Sequence, residues 1–311
     1  MRILFMGSGA IAGPTLQKLM DRVDLEVVGV VTQPDRPKGR GLKLQACPIK
    51  GLAEAIGLKV LDPVKVGVDA SVQELADLRS DLIVVAAYGQ YIKPAILDLP
   101  PQGAINLHPS LLPRYRGAAP IQMAVANGEA ETGVTILYVS EEMDAGDILL
   151  QESMPIDPKE TTADLVPKLA ELGATMILQA IDQIQAGTAT RTPQKEEDVL
   201  YVSKLSKDDG RIDWTLPAKV LCNRVRGFYP WPGTFCRLAA EGDARLKLHE
   251  VAVEEGQGAP GEVVVLGKNG PLIATGEGAL RLLQVQPPGK KPMSGGDFLN
   301  GHGLRVGDRL G

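Results

Sequence analysis

Short apolar runs alternate with segments of helical periodicity over the first 190 residues. The apolar runs, rich in Val, Ile and Leu, predict β-strands at 3–6, 26–31, 82–87, 104–107 and 134–139. Apolar positions spaced three or four residues apart predict helices at 15–21, 47–57, 71–78 and 119–127. Because strand–helix alternation builds βαβ units, this part is predicted to be an α/β domain with a Rossmann-like, mostly parallel sheet covered on both faces.

The pattern changes after a long amphipathic segment at 162–187, which predicts the helix that closes the first domain. Residues 190–206 are polar until Val199 and are predicted to be a linker. Beyond them, a helical segment at 217–228 precedes short apolar segments separated by turns, at 234–238, 246–253, 261–266, 272–275 and 279–285. This spacing predicts a small β-barrel, so the expected domains are 1–189 and 207–311.

Composition narrows the setting in which these domains work. The 311 residues carry a net charge of −5, yet 207–311 hold 14 Lys and Arg against 12 Asp and Glu, so the second domain is slightly basic. The three cysteines are far apart and form no CxxC pair, which argues against a disulfide framework or a zinc site. No apolar run approaches the ~18 residues of a membrane span, and the N-terminus lacks a signal-peptide pattern. We therefore expect a cytoplasmic protein with no membrane partner and no metal.

A glycine-rich turn follows the first predicted strand. Residues from Gly7 to Ala12 fit the G-x-G-x-x-G/A pattern of dinucleotide sites, which also needs an acid at the end of the second strand to hold the ribose. Here Gln33 and Pro34 follow that strand, and the first acid is Asp35 in a proline-rich loop. We therefore interpret the glycines as a tight, closely packed turn and expect no NAD.

Three polar residues are predicted at one edge of the sheet. Asn106 and His108 are two residues apart and point to the same side of a strand that Pro109 ends. Asp144 follows the strand predicted at 134–139 and stands just before Gly146, in a turn that can bring its carboxylate back toward the sheet edge. Since ligands bind beyond the carboxyl ends of open parallel sheets, we expect the three side chains to meet there, supplied from neighbouring strand ends.

Asn, His and Asp are complementary groups for acyl transfer. An amide N–H can donate to a developing oxyanion, an imidazole can relay protons, and a carboxylate can orient and stabilise the imidazolium. The alternative is a structural histidine, a turn-capping Asn106 and a solvated Asp144. The residue types alone leave these two interpretations about equally supported.

Two segments around these residues resemble the folate-dependent formyltransferases: GAINLHPSLLPRYRGAAPIQ (103–122) and GVTILYVSEEMDAGDIL (133–149). The resemblance implies transfer of the formyl group of 10-formyltetrahydrofolate to an amine, without a metal. It implies that Asn106 polarises the formyl oxygen, that His108 assists proton transfer or shares the oxyanion contact, and that Asp144 pairs with His108 and holds a water. By the same resemblance, the folate site is lined by Ser110, Leu111, Leu112, Pro113, Ala87, Tyr88 and Gly89.

A basic loop at 34–50 bears on the acceptor. It carries five Lys and Arg residues, Lys50 among them, against one acid, and cations around flexible glycines suit phosphate contacts. The loop resembles the PDRPxGRGxK insertion of family members that act on methionyl-tRNA. This implies that the acceptor is initiator methionyl-tRNA and that the second domain is OB-like and basic toward the tRNA. The predicted tRNA contacts are Arg36, Lys38, Arg40, Lys43, Lys207 and Arg211.

Two other functions stay open at this stage. One is a sugar-nucleotide amine formyltransferase that uses the same folate donor. The other is a catalytically silent module that binds tRNA or folate. One departure from the family is the first turn, usually Gly-Thr-Pro-x-Phe-Ala, which here reads GSGAIA from Gly7 to Ala12. A monomer is the default expectation.

Overall fold

The computed structural model describes residues 1–38, 41, 43–238, 244–301 and 303–311. Contacts between Cα atoms divide the chain into two compact units. Unit 1 comprises Met1–Gly117, Thr132–Met154 and Val166–Tyr201. Unit 2 comprises Ala118–Glu131, Pro155–Leu165 and Val202–Gly311.

The described residues form seventeen strands and eight α-helices. The strands, in chain order, are β1 (Arg2–Gly7), β2 (Glu26–Val31), β3 (Arg36–Lys38), β4 (Lys43–Gln45), β5 (Val60–Leu61), β6 (Leu82–Ala86), β7 (Ala104–His108), β8 (Arg114–Gly117), β9 (Glu131–Tyr138), β10 (Ile148–Pro155), β11 (Leu200–Val202), β12 (Thr234–Leu238), β13 (Ala244–Glu254), β14 (Val263–Gly267), β15 (Gly270–Ala274), β16 (Ala279–Gln286) and β17 (Met293–Ser294). The helices are α1 (Gly13–Met20), α2 (Pro48–Ala55), α3 (Asp69–Ala76), α4 (Pro94–Leu97), α5 (Pro120–Ala126), α6 (Thr162–Ala186), α7 (Ala218–Gly227) and α8 (Gly295–Gly301). None of the described helices is long and apolar enough to cross a membrane.

Unit 1 is built on a seven-stranded sheet in the order β10-β9-β7-β6-β1-β2-β5. The five strands from β7 to β5 are parallel, whereas β9 runs antiparallel to β7. Central strand β1 is apolar at every position from Ile3 to Met6, and all four side chains are fully buried, as expected for a strand covered on both faces. The predicted Rossmann-like, mostly parallel sheet is confirmed.

Unit 2 contains an antiparallel sheet in the order β12-β13-β16-β15-β14, with β17 beside β16. The last residues of the chain join its two edges. Leu310 bridges to Leu238 of β12, and Arg309 bridges to Glu262 just before β14. Because both edge strands thereby gain partners, the sheet closes into the small barrel predicted from the sequence.

The segment predicted to be a linker, 190–206, has regular structure of its own. Thr192 forms a bridge with Ile148, a 3₁₀ turn covers Glu196–Asp198, and β11 pairs with β8. Sequence patterns could not show this, because each piece is only a few residues long and gains its partners from distant parts of the chain.

Two short segments that precede residue 190 belong to unit 2. They include α5 and the start of α6, and they pack closely on α7 at Gly227. The Thr162 hydroxyl donates a 2.7 Å hydrogen bond to the Gly227 carbonyl oxygen. The predicted domain boundaries at 189 and 207 stay a prediction.

We expect Gly227→Ala to destabilise unit 2. A Cβ at this position would lie 2.6 Å from the Ala126 nitrogen and 2.7 Å from the Gln122 oxygen, both backbone atoms that cannot rotate away. Overpacking of this kind costs about 1–3 kcal/mol, measurable as a lower calorimetric unfolding temperature. Gly51→Ala in α2 is the matched control, because a Cβ there would meet no atom within 4 Å. Equal unfolding temperatures for the two variants would contradict the close approach of α5 and α7.

Candidate active site

Strand β7 carries Asn106 and His108 on one side of the sheet. Asn106 lies between Val85 of β6 and Leu137 of β9. Leu107 points to the opposite side, where it leaves no room for a side chain at Gly173 of α6. His108 is buried, whereas Asn106 is half-buried, and the amide of Asn106 forms no hydrogen bond with any residue that the structure describes. Asn106 is therefore free to bind a ligand.

The two ring nitrogens of His108 have different environments. Nε2 lies 2.9 Å from the carbonyl oxygen of Tyr115. Because a carbonyl oxygen can only accept, Nε2 carries a proton and donates it. In the neutral ring, Nδ1 is then the unprotonated nitrogen, and it faces Asp144. Nδ1 is therefore the ring nitrogen that is left without a backbone partner.

Asp144 is held beside the histidine by a backbone amide. Its Oδ1 lies 3.6 Å from His108 Nδ1, and its Oδ2 accepts a 2.9 Å hydrogen bond from the Gly117 N–H. At 3.6 Å the two atoms are too far apart for a hydrogen bond. A proton arriving at Nδ1 would be stabilised by the carboxylate.

Asp144 reaches this position through the turn that follows β9, as predicted. The expectation that a neighbouring strand end supplies it is wrong, because β9 is antiparallel and ends at Tyr138 opposite Ile105. The following loop must return along the sheet to His108. Asp144 adopts a positive φ of 53°, a conformation that Asp tolerates better than most residues, and Gly146 passes so close to the Tyr138 carbonyl that no side chain fits.

Two residues that the sequence did not identify support this loop, Gln194 directly and Arg116 through Gln194. Arg116 is fully buried between Tyr115 and Gly117 in β8, and Gln194 donates to the backbone of the Asp144 loop. Arg116 was present in the family-like segment, but an arginine in a short strand gives no signal of burial. Gln194 lies in the polar segment predicted to be a linker.

The predicted folate-lining segment after β7 is tied to β9 and β10. Thr135 donates a 2.7 Å hydrogen bond to the Ser110 oxygen and accepts one of 3.1 Å from the Leu112 nitrogen. Gln151 donates to the Leu112 oxygen at 2.9 Å. Ser110 and Leu112 are buried, and Leu111 and Pro113 are half-buried. These hydrogen bonds hold the segment against β9 and β10, beside His108.

The second predicted folate-lining segment follows β6. Ala87 and Gly89 have positive φ angles of 47° and 83°. The Ala87 oxygen accepts hydrogen bonds of 3.2 Å from both Ser8 and Gly9, in the glycine-rich turn after β1. Burial raises the pKa of the Tyr88 phenol, whose oxygen has no hydrogen-bond partner among the described residues. The glycine-rich turn thus supports this segment.

Ser8, where this turn differs from the usual family sequence, forms a hydrogen bond with the end of β2. Its hydroxyl oxygen accepts a 2.9 Å hydrogen bond from the Gln33 N–H at the end of β2. The Gln33 side chain in turn donates to the backbone carbonyl oxygen of Tyr88 at 3.2 Å and accepts from Arg36 at 2.7 Å. The ends of three strands and the start of the basic loop are linked in this way.

The basic loop is a two-stranded hairpin, in which β3 pairs antiparallel with β4. Arg36 and Lys43 are exposed, whereas Arg40 and the Lys38 side chain lie outside the described residues. Lys50 differs from the other bases. Its Nζ lies 2.8 Å from both Asp35 and Asp62, and these two hydrogen bonds raise the pKa of the ammonium. The charge of Lys50 is therefore compensated by two carboxylates within the protein.

The remaining predicted tRNA contacts lie in unit 2. Lys207 and Arg211 are both exposed, on either side of a 3₁₀ turn at Asp208–Gly210. Within the part of the chain that the structure describes, no three His, Cys, Asp or Glu side chains cluster closely enough to hold a metal ion.

Comparison with known proteins identifies the family of the chain. The sequence matches the family described as "Formyl transferase" over residues 1–181, and "Formyl transferase, C-terminal domain" over residues 204–303. The methionyl-tRNA formyltransferase of Citrifermentans bemidjiense is 45% identical over 313 residues, an alignment that covers 100% of this chain and 96% of the relative.

Solved structures share the fold at low sequence identity. WlaRD, a sugar 3N-formyl transferase crystallised in the presence of dTDP and 5-N-formyl-THF, matches with a TM-score of 0.66 and 18% identity, covering 94% of this chain and 99% of that one. HypX from Aquifex aeolicus in complex with tetrahydrofolic acid matches with a TM-score of 0.61 and 22% identity, covering 96% of this chain and 47% of that one. With both of its parts matched and a relative aligned along its whole length, the chain belongs to the formyl transferase family.

Proposed function

We propose that the protein transfers the formyl group of 10-formyltetrahydrofolate to the amino group of initiator methionyl-tRNA. The observation that carries the proposal is the juxtaposition of a buried His108 with Asp144 on the side of β7 where Asn106 is free. Membership of the formyl transferase family and full-length relatives named for this reaction support it.

The reaction forms one C–N bond and breaks another. The amine nitrogen attacks the formyl carbon, the bond from that carbon to N10 of the folate breaks, and the proton lost by the amine ends on N10. The Asn106 amide donates a hydrogen bond to the formyl oxygen as it gains negative charge. Since the amide has no internal partner to give up, this donation costs no rearrangement of the protein.

His108 acts through Nδ1 in this scheme, because Nε2 is committed to the Tyr115 carbonyl. Nδ1 takes up the proton released by the attacking amine, directly or through a water held by Asp144, and returns it to the leaving nitrogen. Asp144 stabilises the intermediate imidazolium at 3.6 Å. The folate lies along Ser110–Pro113 and Ala87–Gly89, whose rigid backbones fix the formyl carbon next to the three side chains.

The basic hairpin selects the acceptor. Arg36, Arg40 and Lys43 contact tRNA phosphates, with Lys38 on the same hairpin and Lys207 and Arg211 contributing from unit 2. Sugar amine formyltransferases share the fold, so fold alone does not distinguish the acceptors. The hairpin's exposed cations favour a polyanion.

The first test is the reaction itself. With 10-formyltetrahydrofolate and methionyl initiator tRNA, we expect formyl-methionyl-tRNA to accumulate, because both substrates have a predicted site on the chain. Acid gel electrophoresis or mass spectrometry of the product measures it. A UDP- or dTDP-amino sugar replaces the tRNA in the parallel assay. Formylation of the sugar alone would replace the proposed acceptor with the alternative one.

Asn106→Asp tests the oxyanion contact. A carboxylate of the same size cannot donate to the formyl oxygen and repels its developing charge, so we expect kcat to fall by about 10²–10³-fold. Steady-state kinetics at saturating tRNA measures this. Asn269→Asp, at an exposed turn of unit 2, is the matched control and should keep the wild-type kcat. Wild-type turnover by Asn106→Asp would remove Asn106 from the mechanism.

Lys43→Ala and Arg40→Ala test the hairpin. Each loses one phosphate contact, so the Kd for tRNA should rise while kcat at saturating tRNA stays unchanged. The slope of log Kd against log salt concentration should fall by about one. Lys59→Ala removes an exposed lysine elsewhere in unit 1 and serves as the control. A loss of kcat with intact tRNA affinity would show that the hairpin does not bind tRNA.

A further inference from the structure

Arg116 is a charged side chain with no exposed surface. Its guanidinium donates to Gln194 Oε1 at 3.0 Å, to Glu196 Oε1 at 2.9 Å and to the Tyr201 hydroxyl at 3.3 Å. All three partners belong to the segment at 190–206. Since a buried charge is costly unless it is paired and hydrogen-bonded, simple packing does not account for this arrangement.

Gln194 connects that arginine to the catalytic loop. While its Oε1 accepts from Arg116, its Nε2 donates to the carbonyl oxygens of Asp144 at 2.7 Å and of Gly146 at 2.8 Å. One amide therefore uses its acceptor and both donors at once. Only an amide side chain offers this combination, because a carboxylate has no donors and a thioether has neither a donor nor a strong acceptor.

Strand β8 contacts His108, Asp144 and Gln194 through three consecutive residues. Tyr115 accepts from His108, Gly117 donates to Asp144, and Arg116 between them orients Gln194. Asp144 itself has a positive φ, so its backbone lies in a sparsely populated region that its surroundings must maintain. Gln194 donates to the carbonyl oxygen of this residue, and so restrains the backbone that carries the carboxylate.

We propose that Gln194, oriented by the buried Arg116, is a positioning residue that fixes Asp144 beside Nδ1 of His108 during formyl transfer. The inference rests on the proposed function for its role in the reaction. The placement of Asp144 against His108 can be tested apart from activity.

The kinetic test uses Gln194→Met and Gln194→Glu in the full-length protein. Gln194→Glu keeps an acceptor for Arg116, so it preserves the buried pairing while it loses both donations to the loop. Each variant should lower kcat about 10- to 100-fold, as misplacement of a catalytic group by about 1 Å does, with KM for folate and tRNA changed less than about twofold. Gln73→Met, which removes an exposed amide on α3, is the control and should behave as wild type.

A double-mutant cycle separates positioning from a general structural role. If Gln194 acts through Asp144, then Gln194→Glu should add less than about a twofold loss once Asp144→Asn is present, because the group that it positions has already been disabled. Multiplicative losses, or wild-type kcat in both Gln194 variants, would overturn the proposal.

A spectroscopic readout is independent of turnover. The chain has only three histidines, so the imidazole signal of His108 can be assigned by comparison with His108→Gln. This signal should move in Gln194→Glu in the same direction as in Asp144→Asn, and should stay in place in Gln73→Met. An unmoved signal would refute the positioning role. If the wild type formylates no methionyl-tRNA, the proposed function fails, while this comparison still decides whether Gln194 places Asp144.

Discussion

The hydrogen bond from His108 Nε2 to the Tyr115 carbonyl determines how the rest of the site can work. It fixes the tautomer of a buried imidazole and directs the other nitrogen toward Asp144. The Gly117 amide, two residues further along β8, then holds the carboxylate. A four-residue strand thus holds both the imidazole and the carboxylate that faces it. His108 and Asp144 are 36 positions apart in the sequence, and they are held together by a backbone segment to which neither belongs.

The sequence predicted the parts of unit 1 whose signals are local. Apolar runs marked the strands, and a two-residue spacing placed Asn106 and His108 on one side of β7. The antiparallel direction of β9 was missed because strand direction depends on partners, so Asp144 comes from a returning turn and not from a strand end at that edge. Gln194 was missed because it lies in a polar stretch with no periodic pattern. Its hydrogen-bond partners are 48 to 78 residues away along the chain. Local patterns carry no information about such pairings.

The sequence gives the number of charged residues in a segment, but it does not show which of them are paired within the protein. The loop at 34–50 sums to a strong positive charge, yet Lys50 lies between two aspartates and is part of the scaffold. The exposed bases of the β3–β4 hairpin are the ones available to a ligand. In unit 2, the slightly basic composition is presented by a barrel whose edges are both joined by the C-terminal residues. A count of basic residues therefore overstates the positive charge that the hairpin offers to a ligand. It also does not show which barrel residues face solvent.

The partners of Arg116 follow it along the chain by 78, 80 and 85 residues, a distance with a consequence for how the protein is made. A nascent chain that has not yet reached Gln194 already contains β7, the Asp144 loop and Arg116. It lacks the groups that accept from the arginine and the amide that donates to the loop. The site around His108 and Asp144 is consequently among the last parts of unit 1 to be completed on the ribosome. Fragments that stop at the end of α6 contain Asn106, His108 and Asp144, yet they lack Gln194, Glu196 and Tyr201, to which the Arg116 guanidinium donates.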